Sequence, residues 1–315
     1  MVYEPPCTLT REMSAFCMEV AELVGSLSAG SGLSANPVLH RELRIKTIHS
    51  SLAIEQNTLS EQQVSAILDG KRVLGPANEI LEVQNTDKAY ALLEDLNPYS
   101  LEDLLRAHGV MMRGLTADAG TFRARDVGVF DGEELIHAGT PATYVPQVMR
   151  SLFDWLATTD LHPLVSSCIF HYEFEFIHPF SDGNGRTGRM WQTLLLSRWK
   201  KELIWLPVES LIRERQSEYY AALRACNAAG DSGAFVRFMI ELIRDALVSF
   251  ARPGVVSNED RALVLFGRNP RLTIMQLAEG LGVSQRTAER LVARLQASGR
   301  LRREGRGRGS SWHVV

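Results

Sequence analysis

The sequence predicts an all-α protein with one small β-hairpin in its body and a compact basic helical module at its carboxyl end. Three observations carry that expectation. From about His40 to Phe250 apolar residues recur mostly at helical spacings, as in Ile80, Val83, Tyr90 and Leu93, the period of an amphipathic helix. One segment breaks that period: the short alternating runs Val127 to Phe130 and Glu133 to His137 flank the turn dipeptide Asp131-Gly132. Residues 261–315 then differ sharply in charge from the rest, with 11 Arg, no Lys and 3 Glu, a net of +8 against −11 for residues 1–260.

In chain order, residues 24–37 are rich in Gly and Ser between two helical patterns and read as a loop. Helices follow through the body. The run from Cys168 to Ile177 is expected to stop at His178, because Pro179 disfavours right-handed helical geometry in the residue before it. A loop and a further helical run, Met190 to Trp199, come next. Arg252-Pro-Gly-Val-Val-Ser-Asn258 is turn-forming and reads as a linker. Beyond it, Leu272 to Ser284 has the pattern of a helix-turn-helix, with Ala278 for close helix approach, Gly282 in the turn and Ser284 as the next cap. The second helix should reach about Ser298, with Arg286, Arg290 and Arg294 every four residues along it. No internal repeat is present, and only Gly305 to Gly309 alternates Gly with Arg. The expected division is an amino-terminal helical region, 1–97, a core, 98–250, and a basic module, 259–315.

Of 315 residues, 45% are hydrophobic and 23% charged, which suits a folded chain of two or more domains. No apolar stretch approaches the ~18 residues of a membrane span, and Met1 to Thr10 has no basic region, so neither a signal peptide nor an anchor is expected. Cys7, Cys17, Cys168 and Cys226 are scattered, without a C-x-x-C pair. A disulfide framework and a thiolate zinc site are therefore not suggested, and a reducing cytoplasm fits best. An acidic body joined to a basic module points to an anionic partner for the module.

The segment that carries chemistry is His178-Pro-Phe-Ser-Asp182-Gly183-Asn184-Gly185-Arg186-Thr187-Gly188-Arg189. With the preceding helix ended by Pro179, His178 sits at the lip of a loop. Gly183 and Gly185 allow a tight turn that exposes backbone N–H groups at the start of the next helix, an anion site suited to phosphate. Asp182 faces the same anion and suits Mg²⁺, which takes few carboxylates together with phosphate oxygens. Arg186 and Arg189, three apart at the beginning of the helix, can reach one polyphosphate. Gly183-x-Gly185-x-x-Gly188 also spells the dinucleotide fingerprint, but that motif follows a buried strand, whereas Pro179, Ser181 and Asp182 precede it here. No G-x-x-x-x-G-K-[ST] occurs, which excludes a P-loop.

This string is similar to the signature of the Fic family, His-Pro-Phe-x-[Asp/Glu]-Gly-Asn-Gly-Arg-x-x-Arg, with every specified position present. The resemblance extends from about Arg41 to Ile243. It implies a helical core with a hairpin flap and transfer of AMP from ATP to a protein hydroxyl, of Ser, Thr or Tyr. By position, it implies His178 as general base, Asp182 as Mg²⁺ ligand, Gly183 to Gly185 as phosphate cradle with Asn184 at the α- and β-phosphates, and Arg186 and Arg189 as clamps. Thr187 and Gly188 complete the nucleotide-binding stretch. Gly185 departs from the Doc-type kinase branch, which keeps Lys there or nearby.

Three further segments fit the resemblance. Tyr219, Tyr220 and Asn227 lie on a later helical run, with Tyr220 and Asn227 seven apart on one face, and the resemblance implies adenosine contacts there. Ser51-Leu-Ala-Ile-Glu55-Gln56-Asn57 resembles the family's inhibitory helix, in which Glu55 would pair with Arg189 and occupy the γ-phosphate position. Gln56 stands where Gly or Asn would help end the helix, and Asn57 is expected to take over that capping. The hairpin, as the family's flap, would hold a target segment by strand addition.

The module at 261–315, with Arg300 to Trp312 as a basic wing, resembles a winged helix, which contacts DNA or protein. A homodimer, or docking on the acidic body, is compatible with the same charge. Protein adenylyltransferase is the function this reading supports. A DNA-binding regulator whose core senses nucleotide stays open, as does an enzyme that removes AMP or transfers another phosphate-linked group.

Overall fold

A computed structural model describes residues 3–30, 37–131, 134–251, 258–304 and 311–314. Among them are fourteen α-helices, a short 3-10 helix and two antiparallel strand pairs. The chain divides into two compact units, one of residues 1–22 and 43–246, the other of residues 23–42 and 247–315.

The larger unit is built around α7 (Pro163–Ile177) and α8 (Asn184–Trp199). α7 begins on His162, whose ring Nδ1 accepts the Leu164 N–H at 3.2 Å, with Pro163 at the first helical position, where its missing donor costs nothing. From Leu164 to Phe174 every residue of α7 is buried, and α8 is buried from Arg186 to Ser197. Helices apolar on most faces belong at the centre of a domain, and the loop joining these two is thereby anchored on both sides. α7 stops at Ile177 as the sequence predicts. His178 takes a left-handed conformation, φ 52°, and its N–H closes on the Phe174 carbonyl at 3.0 Å.

Around this pair lie α2 (Pro37–Ile54), α3 (Glu61–Leu68), α4 (Ala77–Ala91), α5 (Leu101–Met111), α6 (Val145–Thr158), α9 (Val208–Glu214), α10 (Gln216–Ala229) and α11 (Gly233–Ala251). The hairpin pairs β1 (Gly128–Asp131) with β2 (Glu134–Ala138), with a register irregularity between Val129 and Phe130. Of its expected turn, Gly132 and Glu133 lie outside the described residues.

One expectation needs correction. Residues 24–37 read as a loop, yet α1 (Arg11–Gly30) continues as helix through residue 30. Gly25 costs a helix only about 1 kcal/mol relative to Ala, too little to end it there. Residues 31–36 of that stretch lie outside the described set, as do 252–257 of the expected linker and the Gly305 to Gly309 alternation.

In the smaller unit, α12 (Asn258–Arg268), α13 (Ile274–Leu281), α14 (Gln285–Ala297), β3 (Leu301–Glu304) and β4 (Ser311–Val314) close on a core that includes Phe266, Leu277, Leu281, Leu291, Leu295 and Trp312. Gly282 is left-handed at φ 67° between α13 and α14, and the Ser284 hydroxyl caps α14 by accepting the Thr287 N–H at 3.2 Å. No helix among the described residues is long and apolar enough to cross a membrane.

Candidate active site

The loop from His178 to Gly183 is braced from within. Asn184 is 3% exposed, and both ends of its amide are used: Oδ1 accepts the Phe180 N–H and Nδ2 donates to the Phe180 carbonyl, each at 2.9 Å. Its side chain therefore braces the loop from the first position of α8. Gly183, at φ 81°, is the residue before α8, and a Cβ there would lie 2.6 Å from Met112 Sδ. Among the described residues no side chain caps α8, so its first-turn N–H groups are suited to an anion.

Two residues not singled out as site residues from the sequence position this loop. His108, 1% exposed on α5, stacks on Phe180 with ring centroids 3.6 Å apart. Its Nδ1 accepts the Gly120 N–H at 2.9 Å, which leaves the proton on Nε2, 3.0 Å from the Asp182 carbonyl. Burial lowers its pKa, the bond to Asp182 acting the other way. Arg123, 3% exposed, donates Nε to the His178 carbonyl at 2.7 Å, one terminal nitrogen to the Arg125 carbonyl at 2.8 Å, and the other to the carbonyls of Thr140 and Ile177. One guanidinium thus joins the residue expected to act as base to both stems of the hairpin. Its only sequence signal is the Gly120-Thr-Phe-Arg123 run just before that hairpin.

The two arginines of the loop are held by different partners. Arg186 donates to Asp182 Oδ1 at 2.8 Å and to Glu82 Oε1 of α4 at 3.2 Å. Arg189, 3% exposed, donates Nε to the Ser51 hydroxyl at 3.2 Å and Nη2 to the Ser51 carbonyl at 3.0 Å and to Glu55 Oε1 at 2.8 Å. Burial opposes the charge on this guanidinium, and the Glu55 carboxylate more than offsets it, so the pKa of Arg189 is raised. Glu55 lies against Gly185, where any Cβ would collide with its carboxylate.

α2 ends by a Schellman arrangement that corrects the expectation for Asn57. The Gln56 N–H reaches the Ala53 carbonyl and the Asn57 N–H the Leu52 carbonyl, both at 3.1 Å, and Gln56 itself takes the left-handed position at φ 69°. Asn57 instead donates its amide to Glu82 Oε2 at 2.7 Å.

The remaining expected residues are divided. Thr187 is fully buried with its hydroxyl toward Met111 Sδ, and Gly188 is the point where α8 meets α7 beside Phe174, His171 and Glu175. Tyr219 is 2% exposed, and its hydroxyl lies 3.1 Å from His171 Nε2. That ring's Nδ1 is bonded to Gln192 Oε1 at 2.7 Å, and burial pushes the His171 pKa down to about 3, so Nε2 accepts the tyrosine proton. The side chains of Thr187 and Tyr219 are buried in the core. Tyr220 is 37% exposed, and Asn227 Oδ1 accepts the Tyr172 hydroxyl at 3.0 Å.

The site therefore brings together an imidazole at a loop lip, a carboxylate, an uncapped helix start and two buried guanidiniums. Residues 98–196 match the Fic/DOC family. The chain is 32% identical over 214 residues to protein adenylyltransferase fic-1 of Caenorhabditis elegans, covering 63% of this chain and 39% of that protein. It is 30% identical over 243 residues to protein adenylyltransferase Fic of Nematostella vectensis, covering 73% and 54%. The chain spans about half the length of the curated relatives it matches. Against the crystal structure of a Fic family protein from Desulfovibrio desulfuricans G20 the identity is 41%, with a TM-score of 0.78 over 99% of this chain and 98% of that one.

Proposed function

The chain belongs to the Fic family, and on that premise we propose that it is a protein adenylyltransferase. It transfers AMP from ATP to a Ser, Thr or Tyr hydroxyl of a target protein, and to its own hydroxyls, under restraint by Glu55. The observation that carries this reading is the Glu55–Arg189 bond, made at the amino end of a helix whose first-turn donors are left for phosphate.

An alcohol is a poor nucleophile at neutral pH, and an imidazole, with an ordinary pKa of about 6.5, suits removal of its proton during attack on the α-phosphorus. His178 takes that proton, the hydroxyl oxygen bonds to the α-phosphorus, and pyrophosphate leaves with the electron pair of the broken P–O bond. Arg186, and Arg189 once free of Glu55, neutralise the charge on the phosphates, the dominant contribution in such transfers. Asp182 fits as a ligand for Mg²⁺, since its side chain is 57% exposed and that ion binds through one or two carboxylates together with phosphate oxygens. When bound, the ion supplies further charge neutralisation to the phosphates. Tyr220 and Asn227 serve the adenosine, and the hairpin takes the target segment as an added strand, with Arg123 keeping strand and base in register.

The decisive experiment is incubation with α-labelled ATP and Mg²⁺ followed by intact-mass analysis of the protein and of a lysate. Addition of one AMP mass, lost in His178→Ala, supports the reading. An unmodified lysate with the Glu55→Gly variant counts against it.

For the smaller unit we propose a winged helix that contacts DNA. Arg286, Arg290 and Arg294 are exposed on α14, and the net charge of residues 261–315 is +8. Contact with protein, including a second copy of this chain, is the alternative outcome of titration with duplex DNA.

A further inference from the structure

A second carboxyl, besides that of Glu55, acts on Arg189. Glu175 lies in the last turn of α7, three residues before His178. Its Oε1 is buried without a hydrogen-bond partner among the described residues, 2.8 Å from where a Cβ on Gly188 would stand and 3.8 Å from His171 Nε2. That nitrogen accepts the Tyr219 hydroxyl, so it offers Glu175 no proton. The groups that act electrostatically on Glu175 or respond to its charge are Arg189 of α8, Glu55 of α2, and Tyr219 and Tyr220 of α10.

Counting charge at this point decides the state of Glu175. One buried guanidinium is present, and the Glu55 carboxylate already neutralises it. A second buried carboxylate would have no cation, so Glu175 keeps its proton: burial pushes its pKa up to about 8, Arg189 pulling it down and Glu55 pushing it further up. The balance reverses if Glu55 departs. A buried guanidinium without an anion is costly; of the buried carboxyls that respond to Arg189, Glu209 already accepts the Tyr90 hydroxyl, whereas Glu175 Oε1 has no hydrogen-bond partner among the described residues.

We propose that Glu175 is the second carboxyl in line for Arg189: neutral while Glu55 holds the guanidinium, ionised and paired with it once Glu55 leaves, and displaced in turn by the terminal phosphate of a nucleotide. Opening the inhibitory contact then releases a proton and leaves Arg189 paired. Arrival of the phosphate returns Glu175 to its protonated form, because two anions cannot share one cation in a buried site. The inference rests on the nucleotide reading of Arg189 given above, and it adds a self-competing residue that sequence position alone would assign to the helix.

The test compares Glu55→Gly with Glu55→Gly combined with Glu175→Gln, the amide imitating the protonated acid. Calorimetric titration with ATP at about pH 7.5, in two buffers of different ionisation enthalpy, measures proton uptake. The expected result is uptake beyond that of the double variant approaching one proton in Glu55→Gly, with ATP binding several-fold tighter to the double variant. ADP, which lacks the terminal phosphate, should show neither difference. Equal uptake and equal affinity in the two proteins would overturn the proposal.

A nucleotide-free measurement separates this inference from the reading it rests on. In protein carrying ¹³C-labelled glutamate, the Glu175 carboxyl resonance, assigned by its loss in Glu175→Gln, should titrate at clearly lower pH in Glu55→Gly than in wild type. If ATP fails to bind but this shift occurs, the nucleotide reading fails and the carboxyl exchange stands. An unmoved titration overturns the exchange whatever the nucleotide does.

Discussion

Asn57 and Arg186 grip the two oxygens of a single carboxylate, that of Glu82: the Asn57 amide donates to Oε2 at 2.7 Å and the Arg186 guanidinium to Oε1 at 3.2 Å. With Glu55 on Arg189, the carboxyl end of α2 is therefore tied to both arginines of the loop, directly to one and through Glu82 to the other. Restraint of this site is thus a property of the whole helix end.

Loss of Glu55 should activate. Occupied by Glu55, Arg189 cannot also clamp a γ-phosphate, and an α-phosphorus misplaced by about 1 Å can cost on the order of 10²-fold in rate. Glu55→Gly should raise AMP incorporation, self-modification included, by roughly 10- to 10²-fold. Adding His178→Ala should abolish it. Labelling of wild type, single and double variants side by side reads this, and equal labelling of wild type and Glu55→Gly would mean that the helix does not inhibit.

Gln56 bears a local cost. A left-handed residue with a Cβ sits about 1 kcal/mol above glycine, partly offset by the extra freedom glycine has in the unfolded chain. Gln56→Gly should therefore stabilise by about 0.5 kcal/mol and raise the unfolding midpoint by about 1–2 °C, whereas Gln56→Val should lower it. Scanning calorimetry decides, and a lower midpoint for the glycine variant would show that the side chain stabilises by a contact of its own.

Arg123 is expected to act as a positioning residue. Arg123→Lys keeps the charge but loses the planar fork that spans the carbonyls of His178, Arg125, Thr140 and Ile177. kcat should fall by on the order of 10²-fold with little change in ATP affinity, because the reacting groups lose their mutual placement and the phosphate site does not. A proportional loss of ATP binding would point to collapse of the loop instead.

Glu175 sets a pH dependence of stability whose sign follows from its raised pKa. In the folded chain its carboxyl titrates near 8, against an ordinary value of 4.5. Its contribution is full below the unfolded value and is lost as pH rises through that window. The unfolding midpoint of Glu175→Gln should accordingly climb relative to wild type from pH 4.5 to pH 8 and then level off. Parallel profiles would show a carboxyl that ionises normally.

Titration of the full chain with duplex DNA tests the smaller unit. Binding through phosphates must weaken steeply with salt, and Arg290→Ala should weaken it further. Arg294→Ala should matter less, since Arg294 is already paired with Glu259 at 3.0 Å. Absence of binding at low salt favours a protein partner.

Much of the loop was legible in the sequence because its geometry is local. Pro179 restricts the residue before it, Gly183 and Gly282 accept left-handed turns, and Ser284 reaches a backbone N–H three residues on; each effect acts within a few positions. Helical period likewise identified the amphipathic helices of the body, although it did not say which face of α8 or α10 is buried. Thr187 and Tyr219 were assigned to the nucleotide through the resemblance, and packing buries both side chains.

The rest was decided only when distant segments met. Arg123 reaches the His178 carbonyl across 55 positions, His108 the Asp182 carbonyl across 74, Arg186 Glu82 across 104, and Arg189 Glu55 across 134. For the last pair a family signature supplied the expectation, and for the other three no local pattern marks the partner. The same holds for the charge state of Glu175, an ordinary acidic residue on a helix until burial removes water and Glu55 takes the one available cation. Sterics and hydrogen bonding within a turn are written in neighbouring residues, whereas desolvation and ion pairing depend on what the folded chain places around each group.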